Sequence, residues 1–179
     1  MPGLDETRPF IALNIAVMTV SDTRDLASDR SGDTLVERLE KAGHTLAARA
    51  IVTDDKVAIA SQVKAWIGDD GVDVVISTGG TGFTGRDVTP DAIEPLFEKT
   101  MDGFSAVFHA LSYEKIGTST IQSRATAGIA GKTFIFVLPG SPGACKDAWD
   151  GILVHQLDYR FRPCNFVEIM PRLDEHLKR

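Results

Sequence analysis

Between Ser77 and Asp91 the chain reads STGGTGFTGRDVTPD, four glycines and a single acidic pair set between an apolar run and a helix signal. Glycines after a strand let the backbone take positive φ and let a ligand approach without meeting a Cβ, so successive N–H groups can converge on one anion. Gly79, Gly80 and Gly82 are the candidates for that cradle, and Thr78, Thr81 and Thr84 add hydroxyl donors. Thr89-Pro90 reads as an N-cap followed by proline at the first helical position, which sets a helix N-terminus nearby. Asp87 would repel a bare anion, but it could hold a Mg²⁺ ion that bridges to phosphate oxygens. Together these features point to a nucleotide or pyrophosphate, with Arg86 as a further phosphate contact. A second reading stays open, in which the glycines make a tight connection and Asp87 caps the helix.

A similar loop, LPGSPG from Leu138 to Gly143, follows a later apolar run, and Ser141 with Pro142 again reads as N-cap and first helical residue. Thr19, Ser21 and Asp22 end the first apolar run, and Asp54 with Asp55 ends the second. Capping chemistry alone would account for these last two groups; four such edges on one sheet would flank a single crevice. His44, His109, His155 and His176 share no metal-binding spacing, and Cys145 has no evident partner base. Arg124, Lys132 and Lys146 are possible phosphate contacts or solvated charges.

The elements that must carry these groups are legible as an alternation. NIAVMTVSD from Asn14, VDVVISTGG from Val72 and KTFIFVLPG from Lys132 are short apolar, β-branched runs, and HTLAARAIV from His44 is a fourth. Their lack of clean alternation predicts strands buried on both faces of a mostly parallel sheet. Leu35, Val36 and Leu39 before Gly43, and Ile59, Val63, Trp66 and Ile67 before Gly68, predict crossover helices. Phe104, Val107, Phe108 and Leu111 mark a third helix, and Trp149, Ile152, Leu153 and Leu157 a fourth. The expectation is one three-layer α/β/α domain over residues 1–179, loose at 1–10 and 172–179, with ligands beyond the carboxyl ends of the strands.

Composition narrows the function classes. With 25 acidic against 19 basic residues in 179, the net charge of −6 gathers neither nucleic acid nor an anionic membrane surface. No apolar run approaches a membrane span, no leader is evident, and two unpatterned cysteines suit a reduced, cytoplasmic setting.

STGGTGFTGRDVTPDAI, FSAVFHALSYEKIGTSTIQSRATAG and FVLPGSPGAC, spread over nearly the whole chain, resemble the MoaB/MogA family of molybdenum cofactor biosynthesis, and its MoaB members most. The resemblance implies a molybdopterin-binding fold, assembly into homotrimers or dimers of trimers, and adenylyl transfer from Mg-ATP to molybdopterin with release of pyrophosphate. Carried over by motif, Asp87 and Asp54 would be catalytic and hold Mg²⁺, with Asp55 a possible replacement for Asp54. Gly79, Gly80, Thr81, Gly82 and Ser141 would bind phosphate or pterin, above a floor of Thr19, Ser21 and Asp22. Gly85 stands where a proline is frequent in the family, and Ser141-Pro142-Gly143 departs from its usual second loop. The alternative is therefore a molybdopterin-binding or carrier paralogue with little or no turnover; a purely structural scaffold is a third class.

Overall fold

The computed structural model describes residues 1–177. The strands are β1 (Gly3–Leu4), β2 (Asn14–Val20), β3 (Thr45–Val52), β4 (Val74–Thr78), β5 (Lys99–Thr100), β6 (Thr126–Ala130), β7 (Thr133–Leu138) and β8 (Phe161–Arg162). The helices are α1 (Arg30–Lys41), α2 (Lys56–Ile67), α3 (Thr89–Ile93), α4 (Asp102–Ile116), α5 (Pro142–Ala148), α6 (Val154–Gln156) and α7 (Phe166–Ile169); a π-helical turn, Trp149–Leu153, joins α5 to α6. Helix starts follow local chemistry. The Asp29 carboxylate accepts from the Gly32 N–H to cap α1, Asp55 does the same for α2 through Ala58, and Ser141 for α5 through Ala144.

Six strands form one sheet in the order β3-β2-β4-β7-β6-β5, parallel from β3 through β7, with β6 and β5 antiparallel at one edge. Every residue of β4 and β7 is buried, as the continuous apolar runs predict. Alternate side chains serve two cores. Ile15, Val17, Val74, Ile76, Phe134 and Phe136 meet α1, α4, α5 and the π turn, while Met18, Val75, Ile135 and Val137 meet α2 and α3. The sheet is thus covered by helices on both sides.

The topology places the site. The chain runs from β2 outward to β3, then returns to β4 on the other side of β2, so the strand order reverses between β2 and β4 and opens a crevice at their carboxyl ends. Register sets Thr19 beside Thr78, and Thr78 beside Leu138. The loops after β2, β3, β4 and β7 therefore leave the sheet at one level.

Both expected loose ends carry contacts. Gly3–Leu4 pairs antiparallel with Phe161–Arg162, the Arg8 guanidinium lies 3.8 Å over the Tyr159 ring, and Phe10 sits 5.2 Å from His44. At the other end Glu175–Leu177 forms a 3₁₀ turn, and residues 178–179 of that expectation lie outside the described residues. On α4, Phe104 and Phe108 face the core, whereas Val107 is 49% exposed.

Candidate functional site

The loop after β4 is shaped by close approaches of the chain to itself. Gly79 adopts φ +104° and a Cβ there would stand 2.4 Å from the Val20 carbonyl oxygen; Gly80 adopts φ +65° and a Cβ would stand 2.3 Å from Thr89 Oγ1. Gly82 makes room for the Asp87 carboxylate, whose Oδ2 would be 2.7 Å from such a Cβ. The glycines serve the tight connection as well as any cradle. The Gly79 N–H is committed to Leu138 O at 3.0 Å, while those of Gly80 and Thr81 have no partner among the described residues. Two adjacent N–H groups are thus left for an anion.

Thr19 and Thr78, expected to meet ligand, turn their hydroxyls inward. Thr19 Oγ1 donates to Asp29 at 2.7 Å; Thr78 Oγ1 donates to Pro139 O at 2.8 Å and touches Cys145 Sγ at 3.3 Å. Both are buried, because side chains alternate across the sheet and these two belong to its layer beside α1 and α5. They join neighbouring loops below the open face. Burial also pushes the Cys145 thiol up to about 11, which suits a packing thiol rather than a nucleophile. Thr89 departs from expectation too. It is the first residue of α3 rather than its cap, and among the described residues no side chain caps that helix and its buried hydroxyl has no partner. At five residues, α3 offers little macrodipole.

The carboxylates sort themselves sharply. Asp55 caps α2, with Oδ1 2.8 Å from the Ala58 N–H. Asp54, one residue earlier, points the other way: its Oδ1 would lie 3.3 Å from a Cβ on Gly80, beside the loop. Its N–H donates to Asp22 Oδ1 at 3.0 Å, which ties the β3 end to the β2 end. Half-burial and then the charge of Asp87 push the Asp54 carboxyl above its ordinary range, and no donor or cation meets it among the described residues. Asp87 is held below that range, first by the Thr84 hydroxyl at 2.7 Å and also by the Thr84 N–H at 2.9 Å, against the opposing effect of burial. Asp22 takes the Arg86 guanidinium as its ion-pair partner, so two expected ligand groups meet each other; Arg86 stays 76% exposed. Ser21 Oγ accepts from the Thr23 and Arg24 N–H groups, and Ser141 Oγ from Ala144, which leaves each hydroxyl proton to donate outward.

Hollows lie elsewhere. One of about 480 Å³ at the opposite end of the sheet is lined by Asp73, Glu98, Lys132 and Asp174, and an apolar one of about 360 Å³ lies between α4 and the π turn. Neither includes the loop after β4, so the site is marked by the chemistry of its groups rather than by enclosed volume. Lys132, a possible phosphate contact, lies at that far end, 3.6 Å from Asp174. Among the described residues no three His, Cys, Asp or Glu side chains gather as a metal centre. A cation here would rest on two carboxylates plus ligand oxygens, the donor set that suits Mg²⁺. Arg124 proves more central than its sequence suggests: its guanidinium binds the carbonyl oxygens of Gly82 and Asp87. No local pattern marks it, since the loop it reaches is distant in sequence.

Comparison with known proteins gives the family. Residues 16–159 match the family described as "Probable molybdopterin binding domain". Over 157 residues the chain is 52% identical to molybdenum cofactor biosynthesis protein B of Escherichia coli, covering 88% of this chain and 92% of that one. A crystal structure of molybdenum cofactor biosynthesis protein B superposes with a TM-score of 0.84 at 36% identity, over 94% of this chain and 99% of that one. The tungsten cofactor synthesizing protein MoaB of Pyrococcus furiosus gives 0.67 at 39% identity, over 79% and 91%. By motif, fold and overall likeness, this chain belongs to the MoaB/MogA family of molybdenum cofactor biosynthesis proteins.

Proposed function

We propose that the protein binds molybdopterin and adenylylates it with Mg-ATP. The observation that carries this reading is the Asp54–Asp87 pair. A carboxylate raised by partial burial and then by a second carboxylate, with no cation beside it among the described residues, is costly unless a cation joins it. In the reaction the terminal phosphate of molybdopterin attacks the α-phosphorus of ATP, a new P–O bond forms, and the bond to the β-phosphate breaks as pyrophosphate leaves. Asp54 and Asp87 would hold Mg²⁺, which neutralises phosphate charge when bound. The N–H groups of Gly80 and Thr81 bind phosphate oxygens, Ser141 donates from the opposite loop, and Arg86 can leave Asp22 for a phosphate. The protein forms no covalent bond to substrate; it aligns two polyanions and offsets their repulsion.

Incubation of purified protein with molybdopterin, Mg²⁺ and ATP tests this directly, with adenylylated molybdopterin and pyrophosphate as the expected products. Binding of molybdopterin without either product would instead establish the carrier reading. That reading draws on the Arg86–Asp22 pair, which occupies the one basic side chain of the loop. We further propose a homotrimer, or two trimers paired, in which exposed Val107, Tyr113 and Ile116 of α4, with Ile121 beyond it, are covered by neighbouring copies. Light scattering over micromolar concentrations reads the mass; 19.4 kDa throughout would remove this proposal. No helix among the described residues is long and apolar enough to cross a membrane. On the two unpaired, unpatterned cysteines we further propose a cytoplasmic setting.

A further inference from the structure

Arg124 lies between a 3₁₀ segment, Gly117–Gln122, and the first residues of β6, yet its donors converge on the loop after β4 and on α3. Its backbone N–H reaches Thr81 O at 2.9 Å, Nε reaches Gly82 O at 3.0 Å, Nη2 reaches Asp87 O at 2.6 Å, and Nη1 reaches Asp91 Oδ2 at 3.0 Å. The same guanidinium stands 5.7 Å from the Phe83 ring centroid. Three carbonyls of one loop are thus bound by one residue 37 positions further along the chain from Asp87.

The loop needs such a hold. Glycines at 79, 80, 82 and 85 leave it more backbone freedom than residues with a Cβ would, and a Cβ at Gly85 would meet nothing within 4 Å. Asp87 is fixed locally to Thr84 and to the Gly82 N–H, both of which belong to the same Gly-rich segment. Where that segment stands relative to Asp54, which is anchored through its N–H to Asp22 after β2, is therefore left to contacts from outside the loop. The planar guanidinium meets this demand: its Nε and Nη2 bracket the carbonyls on either side of Phe83–Arg86 with fixed mutual geometry, which a flexible ammonium cannot reproduce. These two bonds go to neutral carbonyls and Nη1 pairs with Asp91, so the donors of Arg124 are spent on shape rather than on a phosphate.

We infer that Arg124 is a positioning residue: by clamping Gly82 O and Asp87 O it holds the Asp87 carboxylate opposite Asp54 and so builds the two-carboxylate cation site. This rests on the reading of that pair as a cation site. A purely structural Arg124, anchoring the entry to β6, would lower stability when removed but leave cation affinity alone.

The test uses the full chain in three variants, with Mn²⁺ alone as the probe. Arg124→Met is expected to weaken Mn²⁺ binding, read by electron paramagnetic resonance, about ten- to a hundredfold, the usual cost of losing a partner behind a metal ligand. Amide exchange at 82–87 should quicken by at least about tenfold while the strands β2, β4 and β7 keep their protection. Arg124→Lys, which keeps charge but lacks the fork, should show the same two changes in reduced degree, and it decides the matter if the methionine variant does not fold. Asp91→Ala removes only the Nη1 partner and should leave Mn²⁺ binding within about twofold of wild type, since Nε and Nη2 remain. Unchanged Mn²⁺ affinity and unchanged loop exchange in the folded Arg124 variants would overturn the inference. Wild-type protein that binds Mn²⁺ but forms no adenylylated product would sink the adenylyl-transfer reading and leave the role of Arg124 standing. Wild-type protein that binds no Mn²⁺ would overturn the cation site, and with it this role for Arg124.

Discussion

Two acidic groups flank the carboxyl half of the sheet and differ in what surrounds them. Asp29 is fully buried, but it accepts from the Gly32 N–H at 2.9 Å, from Thr19 Oγ1 at 2.7 Å and from the Arg49 guanidinium at 2.9 Å. Burial works to raise its carboxyl, and these three partners outweigh it and hold the group below the ordinary range. Asp54 is only half-buried, yet burial and then the charge of Asp87 push it upward, because no donor among the described residues offsets them. Depth is the weaker marker of function here. A deeply buried carboxylate with both oxygens engaged serves the structure, and the shallower one left without partners beside a second is where we propose a cation.

Substitutions should separate the two groups cleanly. The largest effect is expected from Asp87→Asn, which should lower adenylyl transfer about 10²- to 10³-fold with little change in thermal stability; near-normal turnover in the folded variant would remove Asp87 from the cation site. Asp29→Ala should do the reverse, costing about 3 kcal/mol in urea denaturation because Arg49 loses its buried partner, while the folded fraction keeps its affinity for Mn²⁺. A loss of stability as small as that of an exposed pair would erase the contrast.

The pH dependence sharpens it further. Asp54, raised in the folded state, weighs against folding above its folded pKa, so Asp54→Asn should be as stable as wild type at pH 7 or more so. Asp29, lowered, adds stability that is present above its unfolded value of 3.8 and is lost as pH falls through the folded one. His44 acts in a separate window. Burial lowers it from 6.5, and its Nδ1 accepts from the Leu13 N–H, so the folded state resists protonation that the unfolded chain accepts. Stability should therefore fall as pH drops below about 6.5, and His44→Gln should flatten that slope in denaturation curves taken from about pH 7 to 5. The smallest effect belongs to Arg86→Ala: its exposed pair with Asp22 should matter by less than about 0.5 kcal/mol to stability, and any change should appear as a higher KM for ATP.

Much of this arrangement can be read along the chain. The runs that become β2, β3, β4 and β7 are apolar and β-branched, and the helices that follow announce themselves through 3.6-residue spacing, through Asp or Ser at the cap and through a closing glycine. The two-residue strands β1, β5 and β8 are too short to carry a period, and only their pairing partners define them. At the candidate site the sequence suggests ligand contact for Thr78 and Thr19, whose hydroxyls bond inward, and capping for Thr89, whose hydroxyl has no partner among the described residues.

What the sequence determined by itself is local: element type, loop flexibility and the chemical kinds present at each strand end, because propensity, capping and glycine freedom act over a few residues. The choice between Asp54 and Asp55 was tertiary. Adjacent carboxylates look alike in sequence, and one is consumed by the first turn of α2 while the backbone turns the other toward Gly80. Arg124 was tertiary for the same physical reason at longer range. A guanidinium declares its role only through the acceptors it reaches, and those of Arg124 are carbonyls brought to it by the pairing of β4 with β7 and of β7 with β6.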